Sequence, residues 1–331
     1  MNIKKLITAG IMALAALATF AEPTVTDVVA KQRYPWNGLV DITCKVSGID
    51  ETTNRFEFVV ETVNQNSDDV RKILNFYVVK NGANSTDCEV HANGNYHLLW
   101  NAMADLGVGL HSNIVLRVDI IKWHDKVQLW KGGPYWATTN IGAENPEDFG
   151  YYFWWGDTVG YKRENDKWAA SDGSSQNFSF CSNNTPTYGK KWSALRSTGW
   201  ITAENVLVPA HDAAQVHWGG KWRMPTIQVR ADLYYKCDWT STTVNGVKGY
   251  VVRGRGDYVS ASIFLPAAGY GTGTSLNSVG ASGYYWFANP HANGDGSHDY
   301  DYASNIGGNY VSDAQCRYFG LSIRPIQLIS E

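Results

Sequence analysis

The stretch "GGKWRMPTIQVRADL", residues 219–233, decides how the second half of this chain is read. Pro225 fixes its own φ, and Thr226 stands where it caps a helix beginning just after it. Val229, Leu233 and Cys237 then recur every four residues and form one apolar face, while Gln228, Asp232 and Lys236 turn toward water. Position 229, which carries Glu or Gln in a capping box, holds Val, so no capping box forms. The stretch therefore reads as an extended Trp-Arg-Met-Pro-Thr run that delivers the chain into a helix. It carries architecture and no chemistry.

At the N-terminus, Lys4 and Lys5 precede an apolar run from Leu6 to Phe20, with Thr19 and Ala21 as small residues behind it. This is the pattern of a secretory signal peptide over residues 1–21, too short for a comfortable membrane span, with the mature chain starting near Glu22. The absence of Cys at the cleavage point argues against a lipid anchor, and no later stretch predicts a transmembrane segment. The expectation is a secreted or cell-surface protein, or one associated with the cell envelope. A net charge of −3 is too small to imply a polyanion or membrane partner and no Lys/Arg run stands out, so no nucleic-acid partner is expected. Fourteen Trp and nineteen Tyr, with only 18% charged residues, suit a β-rich exported protein whose loops are packed by aromatics. Most of those rings are expected in the core. Of the five cysteines, Cys44 and Cys88 alone precede residue 120 and are the candidate pair; a free buried thiol is the competing reading for each. No C-x-x-C occurs, which speaks against a redox or zinc motif.

Residues 22–125 read as all-β. In "LVDITCKV", Val40, Ile42, Cys44 and Val46 alternate with polar neighbours; "RFEFVV" repeats this with Phe56, Phe58 and Val60, and "NIVLRVDI" with Ile114, Leu116, Val118 and Ile120. Gly, Asn and Ser clusters separate these strands, which predicts a sandwich of immunoglobulin or fibronectin type. His91, His97 and Asp105 are scattered and read as surface or turn residues. Over 126–331 the texture changes to aromatic clusters and Gly-rich turns, with helix confined to "AHDAAQVHW" and the stretch already described. "VNGVKGYVV" carries an Asn-Gly hairpin signal. "SIFLPAAGY", "GYYWFANP" and "LSIRPI" are further strand candidates, so the second domain is expected to be α+β with much irregular loop.

Six motifs in order, "GPYWATTNIGA", "YYFWWGDT", "DAAQVHWGGKWRMPT", "IFLPAAGY", "GYYWFANP" and "YFGLSIRPI", resemble the Fibrobacter succinogenes major paralogous (FISUMP) domain over residues ~130–328. "VVAKQRYPWNGLVDI" is similar to the β-sandwich leader attached to such domains. The resemblance implies a C-type-lectin-like fold, in the group that also holds formylglycine-generating enzymes and the variable proteins of diversity-generating retroelements. A fold is not an activity, and each function on this scaffold has its own residue test.

Calcium-dependent sugar binding resembles Glu-Pro-Asn or Gln-Pro-Asp loops with a Trp-Asn-Asp strand, and none occurs; Asp295, Asp299 and Asp301 read as solvated loop charges. A formylglycine-type oxidase needs two thiolates close together. Cys316 lies in the similar region without a neighbouring partner, and only Cys181 or Cys237 is left to supply one. His211, Asp212 and His217 read as helix capping and packing rather than a metal or proton-transfer set. No catalytic residue, metal ligand or cofactor is assigned.

The remaining candidate is "HANGDGSHDYDYASNIGGNYVSDAQC", residues 291–316, built from the residue types that paratopes favour. Its expected contact residues are His291, Asn293, Asp295, His298, Asp299, Tyr300, Tyr302, Asn305, Asn309 and Tyr310, on a loop ahead of a buried closing strand "LSIRPI". From His291 to Ala314 every residue is reachable from an Asn codon by changing its adenines, as in retroelement-diversified proteins of this fold. The expected function is recognition of a protein or glycan ligand, not catalysis. A formylglycine-type cysteine oxidase and a purely structural surface protein are the alternatives.

Overall fold

The computed structural model describes residues 23–34, 37–50, 55–64, 70–73, 75–107, 114–290, 300–305 and 313–329. The signal-peptide expectation lies outside them. No helix among the described residues is long and apolar enough to cross a membrane. The chain is mostly β-strand, arranged in several antiparallel sheets with few helices.

Among the described residues, nine strands precede residue 123: β1 Thr24–Gln32, β2 Leu39–Ser47, β3 Phe56–Asn64, β4 Val70–Ile73, β5 Phe76–Lys80, β6 Ala83–Ser85, β7 Glu89–Val90, β8 Gly94–Asn101 and β9 Ile114–Lys122. One sheet runs β1-β2-β8-β5-β6, and in the other β3 pairs with β4, β7 and β9. Strand parity works as read: Ile42, Cys44 and Val46 are buried, with Thr43 and Lys45 exposed between them. Phe58, Val60, Val78, Leu98, Trp100 and Val118 come from both sheets and join those residues in one apolar cluster. A short helix, α1 (Ala102–Leu106), departs from the all-β expectation. Asn101 caps it through Ala104 N, and Asp105 accepts from Asn75 N and Nδ2 and from Trp100 Nε1. Asp105 is thus a staple rather than an idle surface charge.

Beyond residue 123 come β10 Lys126–Gln128, β11 Tyr135–Ala137, β12 Tyr161–Glu164, β13 Lys167–Ala170, α2 Trp192–Ser197, α3 Ala213–Trp218, β14 Trp222–Arg223, α4 Ile227–Lys236, β15 Asp238–Val244, β16 Val247–Arg253, β17 Ser262–Pro266, β18 Tyr270–Thr272, β19 Ser275–Asn277, β20 Tyr284–Pro290, β21 Tyr300–Asn305, β22 Asp313–Cys316 and β23 Ile326–Gln327. The sheet β10-β11-β23-β14 draws residues 126, 222 and 327 together. The Trp-Arg pair of the opening stretch is therefore a strand against the last strand of the chain, Trp222 opposite Gln327. Thr226 Oγ1 accepts from Val229 N at 3.4 Å and starts α4. At the other end Arg255 donates to the carbonyls of Tyr235 and Cys237 and closes the helix. Leu233 and Cys237 are buried as expected; so is Arg230, whose guanidinium lies 4.5 Å over Trp239.

The Asn-Gly signal is a hairpin turn: Asn245 and Gly246 both take positive φ, 46° and 85°, between β15 and β16. Further along β16 the sheet depends on a missing side chain. A Cβ at Gly249 would lie 2.4 Å from Leu265 O and 2.6 Å from the Phe264 ring. Gly249→Ala is expected to cost about 2 kcal/mol by overpacking, read as a lower denaturation midpoint with an unchanged m-value.

The expected helix over 210–218 is broken, with a tight 3-10 turn at Pro209–His211 before α3; α2 was not anticipated. The closing strand also differs. Leu321, Ile323 and Arg324 are buried as predicted, but regular pairing falls at β23, just beyond "LSIRP". All five cysteines are free, so the Cys44–Cys88 pairing is corrected: Cys44 is a core residue of β2 and Cys88 packs at the edge of the same cluster.

Between β9 and β10 the chain is held rather than slack. Trp123 lies between two cations, with Arg55 5.0 Å and Lys126 4.5 Å from its ring. His124 stacks on Trp218 of α3 at 3.7 Å. Lys126 Nζ donates to Glu57 Oε2 at 3.2 Å and to Gln327 Oε1 at 2.8 Å, and Gln327 Nε2 donates to Glu57 Oε1 at 3.0 Å. Glu57 is buried although strand parity points it away from the β2–β3 core, because residues of the second half cover it.

Candidate functional site

The segment singled out by composition leaves β20, and β20 is among the best-anchored strands of the molecule. Tyr285, Trp286 and Phe287 are buried. Trp286 Nε1 donates to Phe153 O at 2.7 Å, and Tyr285 Oη donates to Pro266 O at 2.8 Å. Asn289 Oδ1 accepts from Ile227 N, so the first turn of α4 is tied to the same strand.

Of the ten predicted contact residues, Tyr300, Tyr302 and Asn305 fall on β21; His291, Asn293, Asp295, His298, Asp299, Asn309 and Tyr310 lie outside the described residues. The structure differs from the free-loop expectation. β21 is the middle strand of a three-stranded antiparallel sheet, β20-β21-β22, with Tyr284 opposite Asn305 and Tyr300 opposite Cys316. Register shifts between Trp286 and Pro290, where one strand outruns the other. Parity then puts positions 300 and 302 on one face of the sheet and positions 301, 303 and 305 on the other. Sequence pattern missed this strand because neither of its faces is apolar, so no alternation marks it.

The root of the sheet is fixed by Arg317, which follows β22 and is wholly buried. Its Nη1 donates to Thr187 O at 2.7 Å and Lys190 O at 2.8 Å, and the guanidinium lies 5.3 Å from the Trp155 ring. Beside this root runs a chain of half-buried rings that sequence reading did not assemble. Tyr284 meets Tyr270 at 5.3 Å, Tyr270 stacks on Phe319 at 5.1 Å, Phe319 meets Tyr318 at 5.1 Å, and Tyr318 meets Tyr188 at 5.4 Å. The motif "YFG" was the available signal for two of them.

The residues considered for other chemistry are placed as follows. Asp212 caps α3, and its carboxylate accepts from Ala214 N, Gln215 N and Met224 N. His211 stacks on Trp200 at 3.6 Å, and His217 is hydrogen-bonded to Thr158 O at 2.9 Å. Burial lowers the affinity of both imidazoles for a proton. Burial also pushes the Cys237 thiol up to about 11, which leaves it unreactive as a second thiolate for Cys316. No cluster of three or more His, Cys, Asp or Glu able to hold a metal occurs among the described residues. A surface groove of about 410 Å³ is lined by Glu144, Asp148, Phe149, Tyr152, Lys162 and Arg163. Three of its four charged residues already have partners: Asp148 accepts from Asn145 N, Lys162 sits 4.9 Å over Tyr151, and Arg163 donates to Thr274 O.

No known family model, no curated protein and no solved structure matches this chain.

Proposed function

We propose that this is an exported ligand-binding protein of two domains. Residues 22–125 form an immunoglobulin- or fibronectin-like β-sandwich, and residues 126–331 form a FISUMP-type, C-type-lectin-like domain that recognises a protein or glycan through residues 291–316. The observation that carries the reading is a contrast along one stretch of chain. Strand β20 is locked into the core through Tyr285 and Trp286, and Arg317 is locked in behind β22. Between these two anchors lie 26 residues of Asn, Asp, His, Tyr, Ser and Gly character, from His291 to Cys316. Rigid elements presenting adaptable polar and tyrosine side chains is the arrangement that contact surfaces use. Every residue type in 291–314 can be encoded by a codon derived from an Asn codon, which supports variation at these positions, and the DNA flanking the gene tests it.

A combined protein and glycan array screen on the full chain identifies the ligand class. On the ligand found, Tyr300→Ala and Tyr302→Ala are each expected to weaken binding about thirtyfold, a larger effect than their effect on unfolding. Trp222→Ala and Leu265→Ala, at fully buried positions, are expected to do the reverse. Binding that survives both tyrosine replacements places recognition elsewhere.

A further inference from the structure

We propose that strand β15 is a docking edge for a second copy of this chain, joined antiparallel about a two-fold axis at Ser241. This goes beyond the recognition reading and uses no residue of 291–316. Among the described residues β15 pairs only with β16, so it stands at the edge of the sheet β15-β16-β17. The hairpin turn sets which backbone groups face outward. Val244 and Val247 flank the two-residue turn Asn245-Gly246 and therefore exchange hydrogen bonds, and such bonded pairs recur at every second residue. Thr242 and Thr240 are thus directed toward β16, and the N–H and C=O groups of Trp239, Ser241 and Thr243 face the open side. The far side of β16 agrees. Lys248, opposite Thr243, bonds away from β15, its carbonyl accepting from Ala267 N at 2.8 Å. Among the described residues, no backbone partner meets residues 239, 241 and 243 on the open side.

A long open strand edge is a hazard that folded chains blunt with Lys, Pro or a bulge. Edge strand β1 carries such protection: its register shifts between Thr26 and Val29, Asp27 takes a φ of 55°, and Lys31 stands on it. β15, "DWTSTTV", has an unbroken register, no Pro and no Lys. Its one charge, Asp238, is already paired with Arg255 at 2.7 Å, and Thr240, Ser241 and Thr243 are exposed. The occupant follows from the spacing. The outward residues are symmetric about Ser241, so a two-fold axis sets Ser241 opposite its own copy and Trp239 opposite the partner's Thr243. Each such pair exchanges both of its N–H···O bonds. The same register sets Asp238 opposite the partner's Val244 and Thr240 opposite the partner's Thr242. No like charges meet, and threonine faces threonine, a favourable cross-strand pair. A charged strand of another protein finds no matching charge on this edge, whereas a second copy matches it along its length.

Sedimentation of the full chain, with thermal unfolding of each variant, tests this. The expected result is a reversible monomer–dimer equilibrium. Ser241→Pro removes the central N–H from the open side, leaves the bonds to β16 in place, and is expected to weaken the dimer about thirtyfold. Ser241→Lys and Ser241→Glu each set like charges face to face at the axis and are expected to weaken it about fivefold. Mixing the Lys and Glu variants should restore the dimer, because residue 241 lies opposite its own copy. Should Ser241→Pro fail to fold, the Lys and Glu variants decide the question, since their side chains stand at an exposed position. A chain that stays monomeric throughout the micromolar range overturns the inference. So does a dimer that ignores these replacements, or one that the Lys–Glu mixture fails to restore. A monomer whose edge takes up an extended peptide of another protein instead overturns the second copy as occupant. The array screen with Tyr300→Ala and Tyr302→Ala judges the recognition reading separately.

Discussion

Asp212→Ala is expected to destabilise the protein by about 3 kcal/mol, roughly an 8 °C fall in Tm for a unit of this size. The carboxylate is buried and accepts from three backbone N–H groups: Ala214 and Gln215 in the first turn of α3, and Met224 beside the Trp-Arg strand. Alanine leaves those donors without a partner and unties α3 from the run that delivers the chain into α4. The effect has a pH signature. Burial raises the Asp212 carboxyl from its ordinary 3.8 to about 6, against the downward pull of its N–H donors. A folded pKa above the unfolded one means that the folded state holds the proton more tightly. The proton-linked part of its stabilisation is therefore complete below 3.8 and lost as pH rises through about 6, while the carboxylate keeps its backbone hydrogen bonds. The gap between wild type and Asp212→Ala should widen as pH falls from about 7 to about 5. Asp212→Asn keeps an acceptor for the cap and should lose much less stability at neutral pH. Urea midpoints for the three proteins at both pH values check this; a gap that stays constant, or narrows, counts against it.

Glu57→Ala is expected to cost a further large amount, about 3 kcal/mol, because it strands the Lys126 ammonium where the two halves of the chain meet. Glu57 is the only carboxylate that Lys126 contacts among the described residues, and both side chains are largely shielded from water. Lys126→Met should do similar damage by leaving Glu57 buried without its cation. Replacing both residues with Met removes the charges together, and the loss should then shrink to about 1 kcal/mol. Equilibrium unfolding of the two single variants and the double variant makes the cycle. Additive losses would show that the pair does not act as a unit. The single variants should also broaden or split the unfolding transition, since the pair and Gln327 tie β3 to the sheet containing β23.

Much of the first half was legible because its signals are local. Ile42, Cys44 and Val46 alternate with polar residues, and alternation follows directly from the extended backbone. Glu57 was illegible for the same reason: by parity it faces outward, and only the arrival of residues 126 and 327 buries it. In the candidate site, composition singled out 291–316, but not that Tyr300–Asn305 would be a paired central strand. Nor did any spacing in sequence bring Tyr188, Tyr270 and Tyr318 into one line of rings.

By itself the sequence determined what depends on a few consecutive residues. The Pro-Thr start of α4, the Asn-Gly turn between β15 and β16 and the strand faces of β2 all follow from φ limits, capping and a two-residue period. Only the tertiary structure decided that Trp222 pairs beside Gln327, that Lys126 joins Glu57 to Gln327, that the five thiols stay apart, and that aromatic side chains from four separate segments form one strip. The contacts among them join residues far apart in sequence, such as Lys126 and Gln327, 201 positions apart. They are selected by packing and desolvation of the whole chain, which no local pattern encodes.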